Sequence, residues 1–485
     1  MEKVIAWAGS IGLLSIFLLV IVPFAIGILL FSKPAWGKRA LPVLSISTSV
    51  MAGLMLSFGG SSGISVQGFM GVDLLLDSFA WTFVLMNGLV FSGVLLSIDG
   101  NTLPPFAYPL MALLHGTANA VFFSHDLFNV FVCIELASIL AFLLIRIGKK
   151  PRQAWSAVQY LITGNVGMIL YLLGCLYAYN RSGSFSMDVL GTLSGLPLFL
   201  LVAGLCVKGG VFLMGLWLPE AHGEAESAVS ALLSGVVVKT GIAPLLRIAS
   251  LSPSASGIIS VIAVMGAIFG VSYAVFEKNV KKMLAYHTLS QTGFMLVVPG
   301  LGHLYAFAHG LFKSWLFISV GKLDSKDIRE LRKKGVEPEI WGPIFLGAMA
   351  ISGLPGLGAF GAKTRIFADL SPWQVPLMYL AAMGTCISFA KLVFLPVLSG
   401  NIFKGLLKRE NSFFLLCLVI FDLYTGYFNV PSIIKAFLII AVGWGLYYSV
   451  LRKSYISLPK WPEELVNIIG FTLLCILVMM GMMES

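Results

Sequence analysis

The chain has 485 residues, of which 58% are hydrophobic and 11% charged, with a net charge of +10. Soluble domains carry about 25% charged residues, so this composition excludes a water-soluble enzyme or binding module and indicates a polytopic membrane protein. The basic residues lie in short loops between apolar runs, where they act as topology signals rather than as a nucleic-acid surface.

Runs long enough for the roughly 20 residues that cross a bilayer predict sixteen spans. They fall near 4–31, 40–58, 78–98, 106–124, 126–147, 154–178, 197–218, 226–249, 257–276, 283–300, 302–321, 341–368, 373–398, 411–430, 432–451 and 464–483. The first run is too long for the apolar core of a signal peptide and has no small-residue cleavage site, so it is expected to stay as a helix. The longest hydrophilic connection, KLDSKDIRELRKKGVEPE at 322–339, leaves no room for a soluble domain.

Six basic clusters test this count: Lys33/Lys38/Arg39, Arg146/Lys149/Lys150/Arg152, Lys278/Lys281/Lys282, Lys322 to Lys334, Lys404/Lys408/Arg409 and Arg452/Lys453/Lys460. All fall in odd-numbered loops, which the positive-inside rule places in the cytoplasm, with both termini outside a cell membrane crossed many times. One loop runs against the pattern: 219–226 is acidic, with Glu220, Glu224 and Glu226.

No redox or nucleotide chemistry is visible. Cys133, Cys175, Cys206, Cys386, Cys417 and Cys475 are scattered through apolar segments without a CxxC pair, so neither an iron–sulfur nor a zinc site is expected. No Walker A motif or dinucleotide glycine fingerprint occurs. The chain is expected to hold no cofactor and no catalytic or metal site.

What stands out is charge inside the spans: Glu135, Lys208, Lys239, His287, His309, Lys313, Lys363, Lys391 and Asp422. Each charge at a helix centre costs roughly 2.5–3.5 kcal/mol on insertion scales. Their spacing is periodic. Glu135 to His287, Lys208 to Lys363 and Lys239 to Lys391 are separated by 152, 155 and 152 residues. Each pair lies five spans apart, an odd number, so the second copy is inverted relative to the first.

The repeat also accounts for two glycine-rich spans. Lys208 precedes Gly209, Gly210 and Gly215, while Gly353, Pro355, Gly356, Gly358 and Gly361 precede Lys363. Such residues break a helix, and a break at membrane depth is tolerated only against protein or a wet cavity. Two broken helices at matching places point to an ion path near the midplane. The expected fold is an all-α polytopic membrane protein of about 14–16 transmembrane helices, with two inverted five-helix repeats and two broken helices. Its parts are N-terminal helices at 1–103, a first repeat at 104–250, a second at 251–400 and C-terminal helices at 401–485.

Several segments then carry a resemblance: HDLFNVFVCIELASILAFLLI, LCVKGGVFLMGLWLPEAH, SAVSALLSGVVVKTGIAPLLR, KKMLAYHTLSQTGFMLV, HGLFKSWLFISVGKL and ISGLPGLGAFGAKTRIF. In this order the chain resembles the antiporter-like subunits shared by respiratory complex I, Mrp-type cation/proton antiporters and membrane-bound hydrogenase or sulfane reductase complexes. That family has fourteen helices with inverted five-helix repeats, so the last two spans read as additions. The resemblance implies a charge pair of Glu135 with Lys208, onward connection through Lys239, and an axis lined by His287, His309 and Lys313. It also implies exchange with the outside at Lys363; Lys391 joins this set on the repeat spacing. The loop GEAESAVSA lacks the prolines the family commonly carries there, and the end at GMMES implies no long lateral helix.

The function implied is proton translocation, with proton/sodium antiport as its variant, in a membrane-bound hydrogenase or sulfane reductase complex. A D-type component of an Mrp sodium/proton antiporter is the alternative, and a purely structural membrane subunit a third. Expected partners are antiporter-like and small Mrp-type membrane subunits, peripheral iron–sulfur subunits and membrane lipid.

Overall fold

A computed structural model describes residues 12–453, apart from 59–61, 67–71, 99–102 and 149, and isolated positions beyond 453. Helices dominate because the bilayer offers no water to pair a backbone N–H or C=O, so each span must satisfy its own. Fourteen of the sixteen predicted spans coincide with helical segments to within a few residues, and the first, 4–31, is helical from residue 12, where the described residues begin. The sixteenth, 464–483, lies largely outside the described residues.

Among the described residues, nine helices are long and apolar enough to cross a membrane, and the interrupted helix at 196–224 makes a tenth. The others fall short for physical reasons. Val280–Leu296 and Arg409–Thr425 have 17 residues each and carry His287 and Asp422, while Pro338–Ser352 stops after 15 at a break. One element is not helical. Ser62–Val66 pairs antiparallel with Val72–Leu76, Ile64 opposite Leu74, a short segment between spans with valine and isoleucine, residues suited to a pleat.

Both five-helix sets are present in chain order, each with its fourth helix interrupted. The first runs Ala107–Phe123, Leu127–Arg146, Pro151–Ser182, Leu196–Lys208 continuing after a break, and Ser227–Leu251. The second runs Pro253–Phe276, Val280–Leu296, Pro299–Val320, Pro338–Ser352 continuing as Ala359–Ala368, and Gln374–Val393. Lys208 ends the helix before its break, whereas Lys363 follows its break.

The chain divides into two compact units. One comprises Met1–Gly209 with Val236–Ile258, the other Gly210–Gly235 with Ile259–Cys475.

In the first unit, the even-numbered loops interlock on one face. Leu74 bridges Ser124, Asp126 bridges Ser186, and His125 contacts Asp188 at 2.9 Å. Asp77 caps the helix Ser78–Leu96 by accepting from Ala80 N at 2.9 Å, and receives a bidentate pair from Arg247 at 2.8 and 2.9 Å. Burial alone would raise the Asp77 carboxyl, but the bonds and charge of Arg247, together with backbone N–H donors, outweigh it and hold it below its ordinary 3.8. A depressed carboxyl contributes stability above its unfolded value, lost as pH falls through the folded one. Asp77→Ala leaves Arg247 without its partner, so the solubilised protein is expected to lose roughly 3 kcal/mol of stability at neutral pH. An unchanged melting temperature would show that the pair contributes nothing.

In the second unit, the basic loops interlock on a single face. Val280 N bonds Lys326 O and Ile328 N bonds Lys278 O, at 2.9 and 3.0 Å. Lys322 pairs with Glu410, and Lys404 with Glu339 at 2.9 Å. The acidic loop belongs to this face as well. Glu220 pairs with Lys282, Lys281 donates to Ala225 O at 2.8 Å, and Lys326 to Gly223 O at 2.8 Å. Its negative charge departs from the basic pattern because it neutralises the neighbouring basic loops.

Candidate ion-translocation site

In the first unit the site begins where a helix stops. Leu196–Lys208 ends as Gly210 adopts φ +63° and Phe212, unusually for a side chain with a Cβ, φ +50°. The break leaves Lys208 in the last helical turn, where cations are favoured by the helix dipole. Gly241 lets the helix Val238–Leu251 pack on this turn, since a Cβ there would run into the backbone of Lys208 and Gly209.

Lys208 is buried and donates to Ser138 Oγ, with the Tyr160 ring centroid 5.4 Å from its ammonium. Ser138 lies one turn along the same helix from Glu135. The Glu135 carboxylate is within electrostatic reach of Lys208, yet its Oε1 is buried without a hydrogen-bond partner. The lysine therefore rests on the hydroxyl beside the carboxylate, and the pair is open in this conformation. Gly164 makes the resting place possible, because a Cβ there would sit 2.5 Å from Lys208 Nζ. Gly164→Ala is accordingly expected to push the ammonium off Ser138, and if ions pass through Lys208 to slow transport in vesicles several-fold while the protein stays folded. Wild-type uptake in this variant would remove Ser138 from the path.

Lys239 is fully buried and sits two residues past a π-helical turn, Leu233–Val237, in a helix that also carries Pro244. Such turns are frequent at functional sites.

In the second unit three lysines lie within electrostatic reach of one imidazole. His287 is fully buried, packs on Phe389 at 4.6 Å between ring centroids, and has both ring nitrogens without hydrogen-bond partners. The three lysines are Lys313, Lys391 and Lys363. Lys313 donates to Leu284 O, one turn from His287 on the same helix, and His309 packs against Phe312 one turn from Lys313. Tyr305 donates to Gln291 Oε1, and Gln291 Nε2 reaches Thr385 Oγ1 at 3.4 Å. These neutral groups extend the polar strip along His287.

Lys391 is held differently. Its ammonium donates to three carbonyls, Ala274 and Glu277 at 2.7 Å and Val275 at 3.1 Å, at the C-terminal end of the helix Pro253–Phe276. It satisfies carbonyls that a helix end leaves without partners. All three of its donors are committed.

Lys363 lies just past a break in which Gly353, Gly356 and Gly358 take φ of +89°, +88° and +43°. The break frees the Ile351 carbonyl, which accepts from Lys363 Nζ at 2.7 Å. Behind the break stands Asp422, fully buried, accepting from Gly356 N and Gly361 N at 2.8 Å each. Leu418 O, one turn earlier, takes Gly358 N at 3.1 Å, and Thr425 O takes Arg365 Nη2. One face of the helix Arg409–Thr425 thus fixes the broken segment.

Some polar residues carry no sequence signal of a role. His115 bonds Thr48 Oγ1 at 2.9 Å, and Asn87 Nδ2 donates to Asn119 Oδ1 at 2.8 Å, tying N-terminal helices together inside the bilayer. Ser138, Gly164, Gln291, Tyr305 and Thr385 likewise emerge only from the structure.

Broken helices bearing buried lysines, beside a carboxylate in one unit and an imidazole in the other, define an antiporter-like membrane protein. The comparisons agree. The family described as NADH:quinone oxidoreductase/Mrp antiporter, transmembrane, matches residues 124–388, more than half of the chain, and the chain belongs to this family. The D component of the Na(+)/H(+) antiporter of Alkalihalophilus pseudofirmus is 27% identical over 391 residues, covering 72% of this chain and 79% of that protein. The NAD(P)H-quinone oxidoreductase chain 4 3 of Picosynechococcus is 30% identical over 353 residues; the match covers 65% of this chain and 64% of that protein's length. Two solved structures share the fold. A chain of the archaeal membrane-bound sulfane sulfur reductase superposes with TM-score 0.76 at 21% identity, over 94% of this chain and 99% of that one. A chain of the Mrp complex from Dietzia sp. gives 0.73 at 17% identity, over 94% and 100%.

Proposed function

We propose that this chain is the proton-translocating membrane subunit of an energy-converting oxidoreductase complex of the hydrogenase or sulfane reductase kind. One observation carries the proton reading: Lys208 rests on Ser138 with the Glu135 carboxylate open beside it. In this mechanism closing the pair holds the proton on Lys208, and opening it lets the proton pass on through Lys239. His287, His309 and Lys313 then relay it to Lys363 for release to the outside. Lys391, with its three donors committed, serves as a fixed charge near His287 rather than a carrier. Moving one charge against 100 mV requires about 2.3 kcal/mol, comparable to a shift of roughly two pKa units, so making and breaking one ion pair is adequate. The basic loops face the cytoplasm. Partner subunits supply the driving force, since the sequence carries no nucleotide or redox motif.

The second reading, an Mrp-type sodium/proton antiporter component, is favoured by the match to the D component of such an antiporter. Proton uptake into vesicles holding the intact complex separates the two. Uptake driven by electron donors with no sodium gradient supports the oxidoreductase pump. Uptake that requires a sodium gradient and ignores electron donors supports the antiporter.

A further inference from the structure

A cavity of about 300 Å³ opens onto Lys363, and its wall is formed in part by the first turns of the helix Val430–Ser449. Its polar lining includes Thr364, Tyr427, Asn429, Ser432 and a second lysine, Lys435. Among the described lining residues there is no carboxylate. Asp422, close in sequence to this wall, is turned to the Gly356 and Gly361 amides and does not line the cavity. Arg365 stands behind the wall and does not line the cavity, its guanidinium 5.9 Å from the Tyr427 ring centroid.

This arrangement discriminates between ions. A sodium ion is a hard cation that replaces its water with oxygen ligands, best of all carboxylates. Here it would meet hydroxyl and amide oxygens but also two ammonium groups, and would enter as a third positive charge. A proton passing through Lys363 adds no third charge, because the lysine itself carries it. We propose that this cavity is a water-accessible vestibule in which Lys435 repels sodium, so that the ion exchanged at Lys363 is the proton. Lys435 is thereby a selectivity-determining residue that the repeat and the axis of buried lysines do not include. The inference rests on the reading of this chain as a proton carrier, which it deepens by naming what excludes the competing ion.

The test reads the charge of the vestibule without relying on transport. Ser432→Cys, in the intact complex with reactive native cysteines replaced, is labelled with an anionic and a cationic methanethiosulfonate of similar size. The expected result is faster reaction with the anionic reagent. Lys435→Glu should invert the preference, changing the rate ratio by about tenfold or more, as focused fields do to local ion concentrations; Lys435→Gln should fall between. In the same vesicles, sodium replacing choline should leave proton uptake unchanged in the parent and depress it in Lys435→Glu. A ratio indifferent to residue 435, or a Ser432→Cys that neither reagent reaches, overturns the vestibule. If the labelling behaves as expected while uptake in the parent needs sodium, the vestibule stands and the proton reading fails.

Discussion

Lys208→Ala is expected to cut proton uptake by at least about tenfold, on the scale at which a positioned proton-transfer group acts, without loss of the assembled complex. The two halves of this expectation come from the same physics. A buried ammonium costs roughly 2.5–3.5 kcal/mol at the helix centre, and Lys208 recovers part of that from one hydroxyl, a ring face and a nearby carboxylate. Replacing it with alanine removes the cost as well as the contacts, so assembly should be unharmed. Glu135→Gln keeps the shape of the pair and deletes its charge, and should impair uptake to a similar degree. Ser138→Ala removes only the open resting place, so a several-fold loss is expected. Equal and full uptake in all three variants would show that no proton passes through Lys208 and leave the chain a structural role.

The lysines were conspicuous because charge inside an apolar run has few reasons to exist, and the 152-residue period then tied first-half groups to second-half ones. Spans were legible for a similar reason: hydrophobicity in lipid is nearly sufficient to specify a helix. The residues that set the site's geometry were not legible. Ser138 meets Lys208 from 70 positions away, and a serine in a membrane helix leaves no mark of what it touches. Gly164 acts through the Cβ it lacks. Lys391 fits the period, yet its contacts depend on where another helix ends, at Phe276, a boundary that hydropathy locates only to within a few residues. The paired strands Ser62–Val66 and Val72–Leu76 leave no hydropathy signal because their apolar residues are too few to register as a span.

Asp422→Ala is expected to lower stability by roughly 2–6 kcal/mol, the cost of leaving two buried N–H groups without their acceptor at about 1–3 kcal/mol each, and to slow uptake in whatever assembles. The carboxylate was visible in the sequence as a buried charge, but its partners are backbone amides 61 and 66 residues away, exposed only because the helix breaks at Gly353–Gly358. Those amides have no water to turn to. Each N–H left without an acceptor costs about 1–3 kcal/mol, so the break must rearrange, and Lys363 moves with it because it lies two residues beyond Gly361. Asp422→Asn separates support from charge: its single amide oxygen can accept from one of the two N–H groups, so an intermediate stability is expected. If the charge matters only through the break, uptake per assembled complex should follow stability across Asp422, Asn and Ala. A fully stable Asp422→Asn that transports nothing would instead place the carboxylate itself on the proton's route, and an alanine variant that melts and transports like the parent would leave the broken helix held by Leu418 and Thr425 alone.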